Sequence, residues 1–513
     1  MLQSPSNNTF TNPIIPGFYP DPSVCRVGED YYLVTSTFEY FPGVPVFRSR
    51  DLVHWQQIGH CLTRPSQLPL EKAPSSGGIF APTIRYHAGK FYMVTTNVSV
   101  SKHFYVWTED PAGEWSEPIW IDRPGIDSSL FFDDDGSVYF TWTMQFGIYQ
   151  AEIDIETGEL LTPDRLVWSG TGGRNPEAPH LYKINGMYYL MIAEGGTEYG
   201  HMETIARADT PWGPFASCPR NPILTHRNLP KHPIQGTGHA DLIQAHDDRW
   251  WMVFLAFRCS KGYPNYHHLG RETFLAPVTW DEEGWPVVNE TGTITSEMQA
   301  DCLPTHPWPA EPARDDFDSA RLRLVWNFLR NPYNEDWSLT ERPGYLRLKG
   351  SAITLDDVDS PAFVGRRQQH LNCRVTVSLD FSPVFEGEEA GLTALMNERH
   401  HYEIAVGVGD DSRVVFVRRR IGDLSAVVAQ ESIPDDIVKL QIEADADRYH
   451  FGYSLNGEVF MLLATGETRY LSSEVAGGFT GVYFGMYATG SGQGSTTPAD
   501  FDWFDYSAAD VDK

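Results

Sequence analysis

Apolar and polar positions alternate in short runs through the first three hundred residues, punctuated by Gly, Asn and Asp. The three-to-four spacing of an amphipathic helix is almost absent. One pattern recurs five times: VGEDYYLVTS from Val27, HAGKFYMVTT from His87, DDGSVYFTWT from Asp134, INGMYYLMIA from Ile184 and HDDRWWMVFLA from His246. Each copy is an apolar strand, a tight turn and an aromatic-led strand, which predicts a β-hairpin. The strand entering each turn recurs as PSVCRV, PTIRYH, SLFFDD, PHLYKI and DLIQAH. Copies lie about 45 to 65 residues apart, a spacing that predicts radially arranged four-stranded sheets in a five-bladed β-propeller. A β-sandwich explains the alternation but not five similar hairpins.

From Asp301 to Asp316 the chain reads DCLPTHPWPAEPARDD, whose prolines suit an extended connector. Beyond it, CRVTVSLDF from Cys373, YEIAVGVG from Tyr402, VKLQIEAD from Val438, FTGVYFGMYATG from Phe479 and ADFDWFDY from Ala499 read as strands of a two-sheet jelly-roll. The whole chain is therefore expected to be all-β, with a propeller over 1–300, a Pro-rich linker over 301–316 and a β-sandwich over 317–513. So short a connector favours a sandwich that buttresses the propeller over a tethered carbohydrate-binding module. A loop from it is expected to wall the propeller's mouth.

Composition narrows the partner. Among 513 residues, Lys+Arg number 39 and Asp+Glu 68, a net charge of −29, and aromatics make up 13%. Nucleic acid and anionic membranes demand clustered Lys and Arg, so both are excluded. Sugars fit: their C–H faces stack on aromatic rings and their hydroxyls seek carboxylates. The start, MLQSPSNNTF, has neither a basic segment nor an apolar run. A cytoplasmic protein is expected, or a secreted one if a leader has been removed. Six cysteines without a CxxC pair predict free thiols.

Aligning the repeats brings out the chemistry. Eleven residues before Val138, Tyr188 and Trp250 stand Asp127, Glu177 and His239; ten before Tyr31 stands Asp21, and the matching place before Phe91 is Phe80. Equivalent positions of a propeller converge on its central channel, so three carboxylates, an imidazole and a phenyl ring are expected at one mouth. Glycosidic hydrolysis needs such a set. One carboxylic acid protonates the leaving oxygen, one carboxylate activates water or attacks the anomeric carbon, and a third acid can keep the proton on the first. The residues alone leave open which acid does what; an Asp taken singly reads first as a turn cap, and it is the three acids in matched register that favour the catalytic reading. Asp133, Asp134 and Asp135 before Gly136 read as a solvated hairpin turn, not a cation loop. The pairs His267–His268 and His400–His401 lack the spacing of a tetrahedral metal site.

Taken in order, GFYPDPS from Gly17, STFEYFPG from Ser36, GIDSSLFFDDDG from Gly125, EAPHLYKING from Glu177, GHAD from Gly238 and GRET from Gly270 resemble glycoside hydrolase family 43. These are five-bladed propeller enzymes that act on xylan and arabinan side groups. The resemblance is nearest the β-xylosidase/α-L-arabinofuranosidase branch, whose C-terminal sandwich is concanavalin-like. It implies that Asp21 is the general base, Glu177 the general acid and Asp127 the modulator of the acid, in an inverting reaction without a required cofactor. It also implies sugar contacts from His239 and Arg271, apolar walls from Phe38 and Trp142, and room for a structural calcium near His239. Where the branch has GG-I-W-A-P, this chain has Gly77-Gly78-Ile79-Phe80-Ala81-Pro82, which favours arabinofuranosides. The expected partner is an oligosaccharide shortened one pentose at a time; a homo-oligomer is compatible with the sequence. An endo-arabinanase, with an open groove, and a non-catalytic sugar-binding propeller are the competing readings.

Overall fold

The computed structural model describes residues 9–145, 147–260, 264–409, 412–495 and 497–508; residues 1–8, read above as free of a leader, lie outside the described residues. Five antiparallel sheets form the propeller, four of them four-stranded and one, blade four, five-stranded. Blade one runs Ser23–Val27, Asp30–Val34, Gly43–Ser49 and Gln56–Leu62. Blade two runs Thr83–His87, Lys90–Asn97, Lys102–Thr108 and Ile119–Ile121. Blade three runs Ile126–Phe132, Val138–Met144, Gly147–Glu152 and Arg165–Trp168. Blade four is Glu177–Ile184, Met187–Glu194 and Met202–Ala208, edged by Ala216–Ser217 and Leu224–Thr225. Blade five is Ile234–Gln244, Trp250–Arg258, Glu272–Trp280 and Pro286–Val288.

Each sequence repeat is the inner hairpin of one blade. The Ala88–Gly89 and Asn185–Gly186 turns have positive φ at both residues, the two-residue geometry whose twist matches that of the flanking strands. The first strand of every blade meets that of the next, which closes a ring around the channel. An ion pair plugs the channel inside that ring. Asp241 of blade five, fully buried, accepts hydrogen bonds from Arg85 of blade two at 2.8 Å, Tyr182 of blade four at 2.7 Å and Ser23 of blade one at 2.7 Å. The chain ends close the circle elsewhere. Thr9–Thr11 pairs with Glu297–Gln299, and the Asn12 amide bonds both main-chain groups of Leu275 at 2.9 Å.

The turn at Asp133 is not wholly solvated. Asp134 and Asp135 are exposed, but Asp133 is buried under Lys183 Nζ at 2.8 Å and Tyr188 OH at 2.6 Å, because the neighbouring blade packs against it. All six cysteines are free and buried.

The second half is a sandwich of a six-stranded and an eight-stranded sheet around one apolar core. Its attachment to the propeller is extensive. Phe328–Leu329 pairs with Tyr40–Phe41, and Tyr483 stacks on Tyr40 with centroids 3.9 Å apart. Buried Arg367 donates to the Phe18 carbonyl at 2.6 Å. The segment from Phe479 does not begin as a strand: pairing starts at Tyr483, within Tyr483–Thr489, and Phe479 lies in a loop. The cause is local. Gly477 and Gly478 take φ of 73° and 82°, and a Cβ on Gly481 would stand 2.4 Å from the Leu269 carbonyl oxygen. This loop lies flat on the propeller because it carries glycine there.

Removing one partner from a buried ion pair strands the other. Asp241→Ala is expected to cost about 3–5 kcal/mol of unfolding free energy in denaturant titrations; a loss under about 1 kcal/mol would show that the channel plug is not structural.

Candidate active site

Every inner strand begins with one residue too many. In blade three Ile126 pairs with Thr143 and Ser129 with Thr141; in blade four Glu177 pairs with Ala193 and His180 with Met191; in blade five Gly238 pairs with Leu255 and Asp241 with Val253. Two residues thus oppose one. Blades one and two repeat the feature. The Ser36 N–H donates to the Pro20 carbonyl at 3.2 Å before pairing resumes at Ser23–Val34, and the Phe80 N–H donates to the Thr96 carbonyl at 3.0 Å before Thr83–Val94. Such bulges bend a strand and re-aim its side chains. The first extra residues are Asp21, Ala81, Asp127, Ala178 and His239, and all but Ala81 have φ between 51° and 56°. Asp and His are among the residues that enter this left-handed region most readily.

This geometry corrects the sequence register. Asp21, Asp127 and His239 are equivalent, but Phe80 and Glu177 stand one residue earlier, level with Pro20, Ile126 and Gly238. Counting back from the aromatic strands runs through turns of unequal length: two residues between Ile184 and Met187, five between Phe132 and Val138.

The five residues nonetheless line one cavity of about 90 Å³, together with Phe38 and Arg271. Trp142 does not line it. It lies two residues beyond Phe140 on the same face of its strand, stacks on that ring at 4.9 Å and is fully buried in the core shared with blade two. The cavity also holds Thr197 and, from the sandwich, Phe479. Ser36 and Thr197 follow the aromatic-led strands of their blades, which run back to the mouth, so that position was a usable signal. Phe479 carried none, since only tertiary packing brings it here.

Arg271 organises the surroundings of Asp21. Its Nη1 donates to Asp21 Oδ1 at 2.9 Å and to Thr197 Oγ1 at 3.0 Å, and its Nη2 to the Phe479 carbonyl at 3.3 Å. The guanidinium lies 5.5 Å from the ring centroids of both Phe38 and Phe479. His239 Nδ1 is 3.6 Å from Asp21 Oδ1, and the Ser36 hydroxyl donates to Asp21 Oδ2. Burial opposes ionisation of Asp21. The charges of Arg271 and His239, the Ser36 hydrogen bond and His201 outweigh it, and the Asp21 carboxyl is held below the usual range. Asp127 goes the other way. Burial, then the charges of Glu177 and Asp21, push it well above the usual range, although the Ala178 N–H donates to its Oδ2 at 3.3 Å. Two neighbouring acids are therefore set apart, one pushed toward ionisation and the other toward its neutral form. Among the described residues no three His, Cys, Asp or Glu side chains are grouped to hold a metal ion.

Removing Arg271 leaves burial to dominate at Asp21, so the carboxylate takes up its proton at higher pH. Arg271→Met is expected to move the acidic limb of the kcat/KM–pH profile upward by about one to three pH units. An unmoved limb would dissociate that limb from Asp21.

Comparison with known proteins agrees with this geometry. Residues 10–286 match the family model of glycosyl hydrolases family 43, and residues 314–507 match the beta xylosidase C-terminal concanavalin A-like domain. A non-reducing end alpha-L-arabinofuranosidase of Bacteroides ovatus is 48% identical, the alignment covering 98% of this chain and 96% of that protein. A xylosidase/arabinosidase of Butyrivibrio fibrisolvens is 40% identical over 96% of this chain and 98% of its own. The solved structure of Bacteroides ovatus xyloglucan PUL GH43B superimposes with a TM-score of 0.95 at 48% identity, covering 98% of this chain and all of that one. Five bulged blades, three acids at one mouth and a sandwich that completes it are thus found together with full-length similarity: this chain belongs to glycosyl hydrolases family 43 and is a glycoside hydrolase.

Proposed function

We propose that the enzyme is exo-acting and inverting, and that it releases terminal L-arabinofuranose and D-xylose from arabinoxylo- and xylo-oligosaccharides. The observation that carries this reading is the meeting of Asp21, Asp127 and Glu177 in one cavity, with Arg271 bonded to Asp21 while burial and two carboxyls bear on Asp127. Asp21 takes a proton from the attacking water; Arg271 and Ser36 fix its two oxygens and leave lone pairs for that water. Glu177 gives its proton to the leaving oxygen. Asp127 lies beside Glu177, and its bond from the Ala178 N–H ties it to the strand that carries the acid.

Inversion requires room for a water, which corresponds to carboxyls roughly 6.5–9.5 Å apart instead of the roughly 5 Å of a retaining pair. Phe38, Phe80 and Phe479 form one aromatic wall, with centroids 5.2 to 6.1 Å apart, suited to the C–H face of a single pentose. Phe479 enters from the sandwich and closes the pocket where an endo-acting enzyme needs an open groove. Phe80, and the arabinofuranosidase at 48% identity, favour the arabinofuranoside arm.

The assay compares Glu177→Ala with the wild type on oligosaccharides and on 4-nitrophenyl α-L-arabinofuranoside and β-D-xyloside. Loss of the general acid is expected to cost about 10²–10⁴-fold on oligosaccharides and much less on the 4-nitrophenyl glycosides, whose leaving group needs little protonation. Unchanged oligosaccharide turnover would remove Glu177 as the acid, and release of oligomers by the wild type would favour an endo-arabinanase. Phe80→Trp is expected to raise the xyloside-to-arabinoside ratio; a constant ratio would remove Phe80 as a selectivity residue.

A further inference from the structure

Behind the acid lies a histidine that no repeat or motif singled out. His201 is fully buried at the end of the loop that joins Met187–Glu194 to Met202–Ala208. Its Nδ1 is 3.2 Å from the Gly236 carbonyl oxygen, an atom that can only accept, so Nδ1 carries the ring hydrogen. In a neutral ring Nε2 then presents a lone pair. Buried and without a hydrogen-bond partner among the described residues, Nε2 lies 3.5 Å from Glu177 Oε1. The place is made for this ring: a Cβ on Gly238 would stand 2.7 Å from the imidazole. The same loop carries Thr197 to Arg271, and its Tyr199 hydroxyl donates to Glu474 of the sandwich at 2.7 Å.

We infer that His201 is a positioning residue that keeps the proton of the acid in the empty site, accepting a hydrogen bond from the Glu177 carboxylic hydroxyl. This rests on Glu177 being the acid. A half-turn of the carboxyl about Cγ–Cδ carries the same hydroxyl from Nε2 to the glycosidic oxygen, so no proton is gained or lost before transfer. A bare carboxylate, by contrast, faces the Nε2 lone pair. Other charged or titratable groups around the pair are Asp127 on blade three, Asp21 on blade one, His239 and Arg271 on blade five, and Glu203 on blade four. Asp21 and His239 also feel His201, so its substitution reaches the acidic limb through Asp21, and the acid is read on the alkaline limb alone.

The test replaces His201 by Met, which fills the space without an acceptor, and by Gln, which restores one near Nε2. His201→Met is expected to move the alkaline limb of kcat/KM, which reports the free enzyme, down by about half to one pH unit. The limb of kcat is expected to move less, and His201→Gln to keep the wild-type limb. An unmoved limb in His201→Met, or an equal shift in His201→Gln, would overturn the assignment. The proton is also read without turnover, by ¹³C NMR of labelled glutamate carboxyls with the Glu177 signal assigned by its loss in Glu177→Gln. That titration moving down in His201→Met supports His201 whatever the substrate is, and an unmoved one overturns it. Inactivity of the wild type on every pentoside would instead overturn the proposed function.

Discussion

An extra residue at the head of each inner strand decides where the functional side chains of the propeller point. Without it, period-two alternation would send Asp21, Asp127 and His239 into the strand faces that pack between blades, as it does Trp142. The bulge imposes left-handed backbone at these positions, a conformation held only because the neighbouring blades over-determine it. The plug around Asp241 lies just inside the bulges. It ties four blades together two residues from His239, and in blades one and five its members stand at the pairing position that follows the bulge. Scaffold and site are therefore one construction: the ring that closes the channel also fixes the register of the acids.

Electrostatics then differentiates carboxyls of similar burial. Asp21 and Asp127 occupy equivalent bulge positions and are both buried, yet one meets a guanidinium and an imidazole while the other meets two carboxyls. Arg271 is the hinge of this asymmetry, and it is not held by the propeller alone, because its second amino group bonds a main-chain oxygen of the sandwich. The C-terminal domain thus acts on the chemistry in two ways. Phe479 forms a wall of the pocket, and Glu474 anchors the loop that brings Thr197 to Arg271 and His201 to Glu177.

Much of this was legible in the sequence, and the exceptions have physical reasons. Five hairpins and the all-β class follow from alternation and turn chemistry, since local periodicity directly encodes strands, and the repeat register brings Asp21, Phe80, Asp127, Glu177 and His239 to one cavity; Phe38 and Arg271 rest on the family resemblance. The one-residue misplacement of Glu177 and Phe80 arose because turn lengths and bulges both shift the count, and the repeat reveals only their sum. Trp142 was misassigned because aromatic residues pack between blades as readily as they line sugar pockets. Asp133 looked like a solvated turn residue until Lys183 and Tyr188 of the next blade covered it. His201 and Phe479 were silent because each owes its role to a contact between distant segments.

The claim on which all of this rests is that Asp21 activates a water and does not bond to the sugar. The direct measurement follows hydrolysis of an aryl α-L-arabinofuranoside or β-D-xyloside by ¹H NMR in deuterated buffer, within the first turnovers and before mutarotation. The first sugar signal is expected to belong to the anomer opposite to that of the substrate. Initial appearance of the anomer with the substrate's own configuration would mean a covalent glycosyl-enzyme intermediate, and would contradict the assignment of Asp21 as general base.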